Sequence, residues 1–243
     1  MARISARLTA AVTALAALSI LLVAVRDSPA RVKPTPARAA ARDSDKREDF
    51  MRRVYEAQVR RAGGRRFFAD LPEEELEEVE HGYKMRREAA EQCRLLLAQA
   101  RSDLRRQKQQ GNQEALAVSD IGIYSAYRSV EHDMAAWRSA FRKHFNATKN
   151  DRAELKGGEY GDEAVELMVG IMRKFKAAPG FSRHTSGAAV DLKTTEGGVL
   201  LAADSNQNSM WKRSWFHKWL VKNAGRYKFK PLATEAWHWE HAK

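Results

Sequence analysis

FSRHTSGAAVDL, residues 181–192, is the stretch from which the fold can be read. Gly187 lets the chain turn sharply after His184, because a residue without a Cβ takes up a left-handed backbone at little cost. Beyond it, Ala188, Val190 and Leu192 alternate with Ala189 and Asp191. That two-residue period is the signature of a strand, and it places Asp191 on the face opposite Val190 and Leu192. A histidine from a loop and an aspartate from the adjoining strand can then converge. The small side chains at 188 and 189 leave room beside them.

A second stretch, EAWHWEH at residues 235–241, supplies Glu235 and His238. Three residues apart on a flat strand, they face opposite sides. A bulge or turn is needed to aim both at one place. His184, Asp191 and His238 together offer two nitrogens and one oxygen. Three protein ligands with an open fourth position form the pattern of a catalytic zinc site. Zinc brings the pKa of water towards neutrality, and Glu235 is then placed to take that proton and pass it to a leaving amine. The single cysteine, Cys93, excludes an internal disulfide and a thiolate metal cluster. Taken singly, each of these residues is more often structural, and a lone histidine beside a tryptophan usually packs at the surface. The two motifs in this order outweigh that reading.

The pattern S-x-H-x-x-G-x-A-x-D followed by E-x-W-H resembles the VanY-type D-alanyl-D-alanine carboxypeptidases. That family shares its fold with D-Ala-D-Ala dipeptidases and L-alanyl-D-glutamate endopeptidases. The first motif reads here from Ser182 to Asp191 and the second from Glu235 to His238. Upstream, Ser125-Ala-Tyr127-Arg128-Ser129 resembles the family's S-G-Y-R-S segment. The resemblance covers roughly residues 85–243. It implies Zn2+ held by His184, Asp191 and His238, with Glu235 as catalytic base. It implies that Arg128 binds substrate and steadies the carbonyl oxygen as it gains charge, and that Ser182 hydrogen-bonds substrate. Two departures stand out. Asp133 occupies a position where the family often has Gln, and an acid there would repel a terminal carboxylate if it faced the pocket. Ala126 replaces a common Gly. His81, His132, His144, His217 and His241 match no ligand position and read as surface or packing residues.

Peptidoglycan stem peptides are the implied substrates. Removal of a terminal D-Ala is the first expectation, and cleavage of an internal L-Ala–D-Glu bond the second. A non-catalytic wall-binding module on a membrane anchor is the rival from another class, and it predicts the loss of a site residue. None is lost.

The rest of the chain organises around these motifs. Its 243 residues suffice for one sizeable domain plus extras. Residues 1–25 read as an export signal, with Arg3 and Arg7 before an uncharged run from Leu8 to Val25. The run is long for a cleaved signal and just long enough for a membrane span, which favours an uncleaved anchor and an extracytoplasmic place. Residues 26–45, rich in Ala, Arg, Pro and Ser, read as a disordered linker. Residues 46–79 read as a charged helical extension, its acidic run EEELEEVE as a solvated helix, and residues 80–243 as the zinc peptidase domain. Helices are expected over 83–109, 129–145, 161–176 and 211–223. Strands are expected over 115–124, 188–192, 227–230 and 235–239. The fold class is α+β, a small antiparallel sheet flanked by helices. The net charge of +12 is spread along the chain, so no nucleic-acid partner is expected.

Overall fold

In a computed structural model of the protein, residues 36–63 and 66–242 are described. The apolar run of residues 8–25, and with it the export-signal reading, lies outside them. Among the described residues no helix is long and apolar enough to cross a membrane. The chain divides into two units, residues 1–41 and 42–243. Of the first, only the opening turns of helix α1 (Pro36–Arg60) are described.

The second unit is built on a sheet. Strands β3 (Val118–Ser125), β4 (Ala189–Glu196), β7 (Glu235–His241) and β6 (Phe229–Leu232) lie side by side in that order, and β5 (Val199–Leu201) pairs with β4. Every pairing is antiparallel. Strand β4 alternates as its sequence demands. Val190 and Leu192 enter the main core, so Asp191 faces the other side. Helix α2 (Arg87–Gln109) covers the core face with a stripe of Ala89, Cys93, Leu96, Leu97, Ala100 and Leu104 at three- and four-residue steps. Cys93 is fully buried in this stripe, and burial pushes its thiol up to about 12. Helices α7 (Asn208–Arg213) and α8 (Trp215–Asn223) close the same core with Trp211, Trp215, Phe216 and Trp219. The single helix expected over 211–223 is broken at Ser214, whose hydroxyl accepts the His217 amide and caps α8.

A second core lies between α1, α4 (Val130–Ala147) and α6 (Asp162–Phe175), with the short helix α5 (Lys149–Ala153) between the last two in the chain. Phe50, Val54 and Ala57 of α1 pack there with Trp137, Phe141, Phe145, Val165, Met168 and Met172. Gln58, buried on α1, accepts the Trp137 indole N–H at 2.8 Å and donates to the Lys176 carbonyl at 2.7 Å. The extension before residue 80 is therefore part of the folded unit.

Several expectations about local structure need correction. The linker reading of 26–45 fails from Pro36 onward. Proline is well suited to the first position of a helix, and the Ala- and Arg-rich residues after it are strong helix formers. The acidic run is not a solvated helix. It forms a short 3-10 turn at Glu73–Glu75 and strand β1 (Leu76–Glu80), which pairs with β2 (Tyr83–Arg86). Its carboxylates meet cations: Glu73 pairs with Lys84, Glu75 with Arg86, Glu77 with Arg87 and Arg94, and Glu80 with Arg101. A boundary at residue 80 would cut through that hairpin. The helix expected from 83 accordingly starts at Arg87. The strand expected from 115 begins at Val118, after the short helix α3 (Gln113–Ala117) that Asn112 caps.

Candidate metal centre

Register brings the first two site residues together. Asp191 on β4 is paired directly with His238 on β7, and cross-strand partners place their Cβ atoms roughly 5 Å apart. Ser125 on β3 is opposite Asp191 on its other side, just past a register shift. The loop that follows carries Arg128, whose Nη1 reaches Ser125 Oγ and lies near Asp191. His184 comes from the loop before β4. The Gly187 amide donates to the His184 carbonyl at 3.0 Å and closes the turn. Gly187 has φ +67°, and a Cβ there would lie 2.7 Å from Leu71 Cδ1 and 2.9 Å from the Arg86 nitrogen. Only glycine fits, because both the backbone angle and the space forbid a side chain.

All three side chains are buried. His184 Nε2 lies 3.2 Å from His238 Nδ1 and 3.2 Å from Asp191 Oδ2, and His238 Nδ1 lies 2.9 Å from Asp191 Oδ1. Ligands about 2.05 Å from a tetrahedral zinc sit roughly 3.3 Å from one another. The donor set therefore fits a zinc-sized ion in both chemistry and spacing, and its three groups have one ligand atom each within 4.8 Å of the others.

The groups behind the donors fix which atoms face inward. His184 Nδ1–H donates to the Ala126 carbonyl at 2.6 Å, which leaves the Nε2 lone pair for a metal. His238 turns its Nε2 towards Glu240 Oε1 at 3.3 Å and its Nδ1 inward. Glu240 is in turn 3.3 Å from Arg183 through its other oxygen. Burial works against a charge on His238, but hydrogen bonds to Asp191 and Glu240 and the charges of Asp191 and Glu235 raise its pKa to about 9. Burial likewise opposes the Asp191 carboxylate, yet the neighbouring His184 and His238 hold it well below the usual range.

Arg128 sits beside this group. Its Nε donates to Asp133 Oδ1 at 2.9 Å, its Nη1 donates to Ser125 Oγ at 2.7 Å, and Nη1 is 3.5 Å from Asp191 Oδ2. The repulsion expected from Asp133 is thus answered by its partners, since its Oδ2 also accepts the Thr185 hydroxyl at 2.9 Å. Ser182 accepts the His184 amide at 3.2 Å within the turn, leaving its O–H free to donate. Glu235 is partly buried at the start of β7, and its charge reaches His238. The β6–β7 pairing shifts register opposite Pro231 and Leu232, between Glu235 and Trp239, where a bulge or turn was needed.

Reading the sequence missed Glu240 and the support role of Asp133. Glu240 carried a signal: two residues from His238 on a strand, it shares that residue's face. Asp133 stood out only as a departure from the family pattern; its pairing with Arg128 five residues before it and with Thr185, 52 residues on, had no local signal.

A family model described as VanY: D-alanyl-D-alanine carboxypeptidase matches residues 82–242. No curated protein matches the chain. Solved structures similar to it include VanYB in complex with D-alanine-D-alanine, at 17% identity, 73% of this chain, 86% of that chain and a TM-score of 0.45. A mutant of the vancomycin resistance D,D-pentapeptidase VanY from a VanB-type cassette, in complex with Zn(II), is similar at 17% identity, 73% and 87% coverage and a TM-score of 0.44. The LdcB LD-carboxypeptidase is similar at 19% identity, 68% and 62% coverage and a TM-score of 0.39.

Proposed function

Because the chain belongs to the VanY family of D-alanyl-D-alanine carboxypeptidases, we propose that it is a zinc-dependent peptidase that removes the terminal D-Ala from peptidoglycan stem peptides. The observation that carries this reading is the convergence of His184, Asp191 and His238 at spacings of 2.9 to 3.2 Å, buried and backed by fixed partners. When bound, zinc supplies Lewis-acid chemistry: it acidifies water and polarises a carbonyl.

The protein's own residues do the rest. Glu235 takes the proton of the attacking water and returns it to the leaving amine. Arg128 faces the carbonyl oxygen as it becomes negative, and a donor fixed before the reaction begins needs no reorganisation. The hydroxyl of Ser182 holds substrate. Burial of the ligand set keeps competing water out of the donor shell. The substrate places the protein outside the cytoplasm, in keeping with the basic and apolar start of the sequence, which would export it and anchor it in the membrane.

Digestion of a purified stem peptide ending in D-Ala-D-Ala by the zinc-loaded protein tests the reading. Release of free D-Ala that stops on chelation is the expected result. Release of internal fragments alone would replace the carboxypeptidase assignment with that of an endopeptidase.

A further inference from the structure

The Arg128 guanidinium has few donors left to offer. Its Nε is engaged by Asp133 Oδ1, and its Nη1 by Ser125 Oγ at 2.7 Å, with Asp191 Oδ2 3.5 Å away. Nη2 alone makes no hydrogen bond or ion pair among the described residues. A carboxylate is bound best by two parallel N–H donors on one edge of the guanidinium. Asp133 occupies one such edge, and Ser125 and Asp191 crowd the other. What remains is one nitrogen, which suits one oxygen.

Charge points the same way. Arg128 is paired with Asp133 at 2.9 Å, while Asp191, 3.5 Å from its Nη1, belongs to the metal site. The other guanidinium beside the ligands, Arg183, is 3.3 Å from Glu240. Each guanidinium is paired with a carboxylate of its own, Asp133 or Glu240, which offsets the charge that would draw in a terminal carboxylate. Asp133 is also well fixed for its part: it is buried in the first turn of α4, and its second oxygen takes the Thr185 hydroxyl.

We infer that Asp133 is a specificity-determining residue. By holding Arg128 through Nε and offsetting its charge, it leaves the guanidinium to read a single carbonyl oxygen. The site therefore accepts stem peptides whose chain continues past the leaving residue as readily as those that end there in a free carboxylate. This rests on the zinc-peptidase reading above.

The test compares two peptides on the full, zinc-loaded chain: one ending in D-Ala-D-Ala, and the same peptide with a C-terminal carboxamide. The expected kcat/KM values lie within about threefold of each other. In Asp133→Asn, which keeps the size and an oxygen for Arg128 but removes the charge, the acid-to-amide ratio rises about tenfold, mainly through KM, as an added charge-assisted hydrogen bond would give. Asp133→Glu restores the parent ratio. A parent that rejects the amide by more than about tenfold overturns the inference, and so does an Asp133→Asn chain with an unchanged ratio. The parent comparison needs no variant, so a misfolded substitution does not shield the idea. Cleavage of neither peptide overturns the peptidase reading, and this inference with it.

Discussion

Replacing Glu240 should loosen the metal without touching a ligand. Its Oε1 faces His238 Nε2 at 3.3 Å, and its Oε2 faces Arg183 at the same distance. A hydrogen bond to a charged group contributes roughly 1.5–3 kcal/mol and a neutral one about 1 kcal/mol. The bond here is long, and its carboxylate is only partly shielded from water, so the lower end of each range applies. Glu240→Gln keeps an acceptor and loses the charge, which amounts to about 1 kcal/mol, or about fivefold weaker zinc binding. Glu240→Ala frees the imidazole to rotate and leaves Arg183 without its carboxylate partner, with only the His241 carbonyl to accept from it. Loss of such a group behind a ligand weakens metal binding by about 10- to 100-fold. Competition against a chromogenic zinc chelator at near-neutral pH reads both values, and far-UV circular dichroism confirms that the variants fold. If Glu240→Ala held zinc within about twofold of the parent, the claim that Glu240 orients His238 would be wrong.

Glu235→Ala should lower turnover by about 10²- to 10⁴-fold while zinc titrates as in the parent, and normal turnover would remove Glu235 as the base. The raised pKa of His238, about 9, makes zinc binding release a proton from it at any pH below that value. Calorimetry in two buffers of different ionisation heat should show this release, and zinc affinity should weaken on acidification. In chelator-stripped protein the same shift has a stability sign: folded His238 binds its proton more tightly than the unfolded chain does. Its contribution is complete below about pH 6.5 and is lost as pH rises through about 9, which urea melts across that window can follow. Phe50→Ala removes a fully buried ring from α1 and should cost about 3–5 kcal/mol. That corresponds to a melting temperature lower by about 10 °C, and an unchanged melt would exclude α1 from the core.

What the sequence disclosed depended on whether the signal was local. Val190 and Leu192 against Asp191 show their alternation within five residues, and a strand formed there, starting at Ala189 and running four residues past the expected end to Glu196. The stripe on α2 repeats every three or four residues, and it buried as read. The acidic run from Glu73 to Glu80 failed because its partners lie on β2 and α2. Periodicity within the run cannot show that Arg94 and Arg101 neutralise it and make a strand affordable. The donors His184, Asp191 and His238 were legible as residue types at a spacing. Their shared point was not, since it depends on the pairing of β4 with β7. Glu240 fell between these cases, visible by alternation once β7 is known to be a strand.

The site is also held by residues that no metal-site motif contains. Between α1 and β1, residues 66–72 run beside both loops that carry site residues. The Phe68 amide donates to the Gly180 carbonyl at 2.7 Å, and the Phe67 ring meets Phe181 edge-on at 5.7 Å. Asp70 accepts the Val130 amide at 2.6 Å, the Leu71 amide donates to the Tyr127 hydroxyl at 3.1 Å, and Leu71 fills the space over Gly187. Each residue ordered in a loop costs about 1–2 kcal/mol of backbone entropy. Three loops ordered against one another share their contacts, so each lowers the cost of fixing the others. Arg128 and His184 then reach the metal centre already oriented, which is the condition under which a fixed donor aids a reaction. The segment that ties them together precedes the family-matched residues 82–242, so the precision of the centre depends on chain that the family pattern does not include.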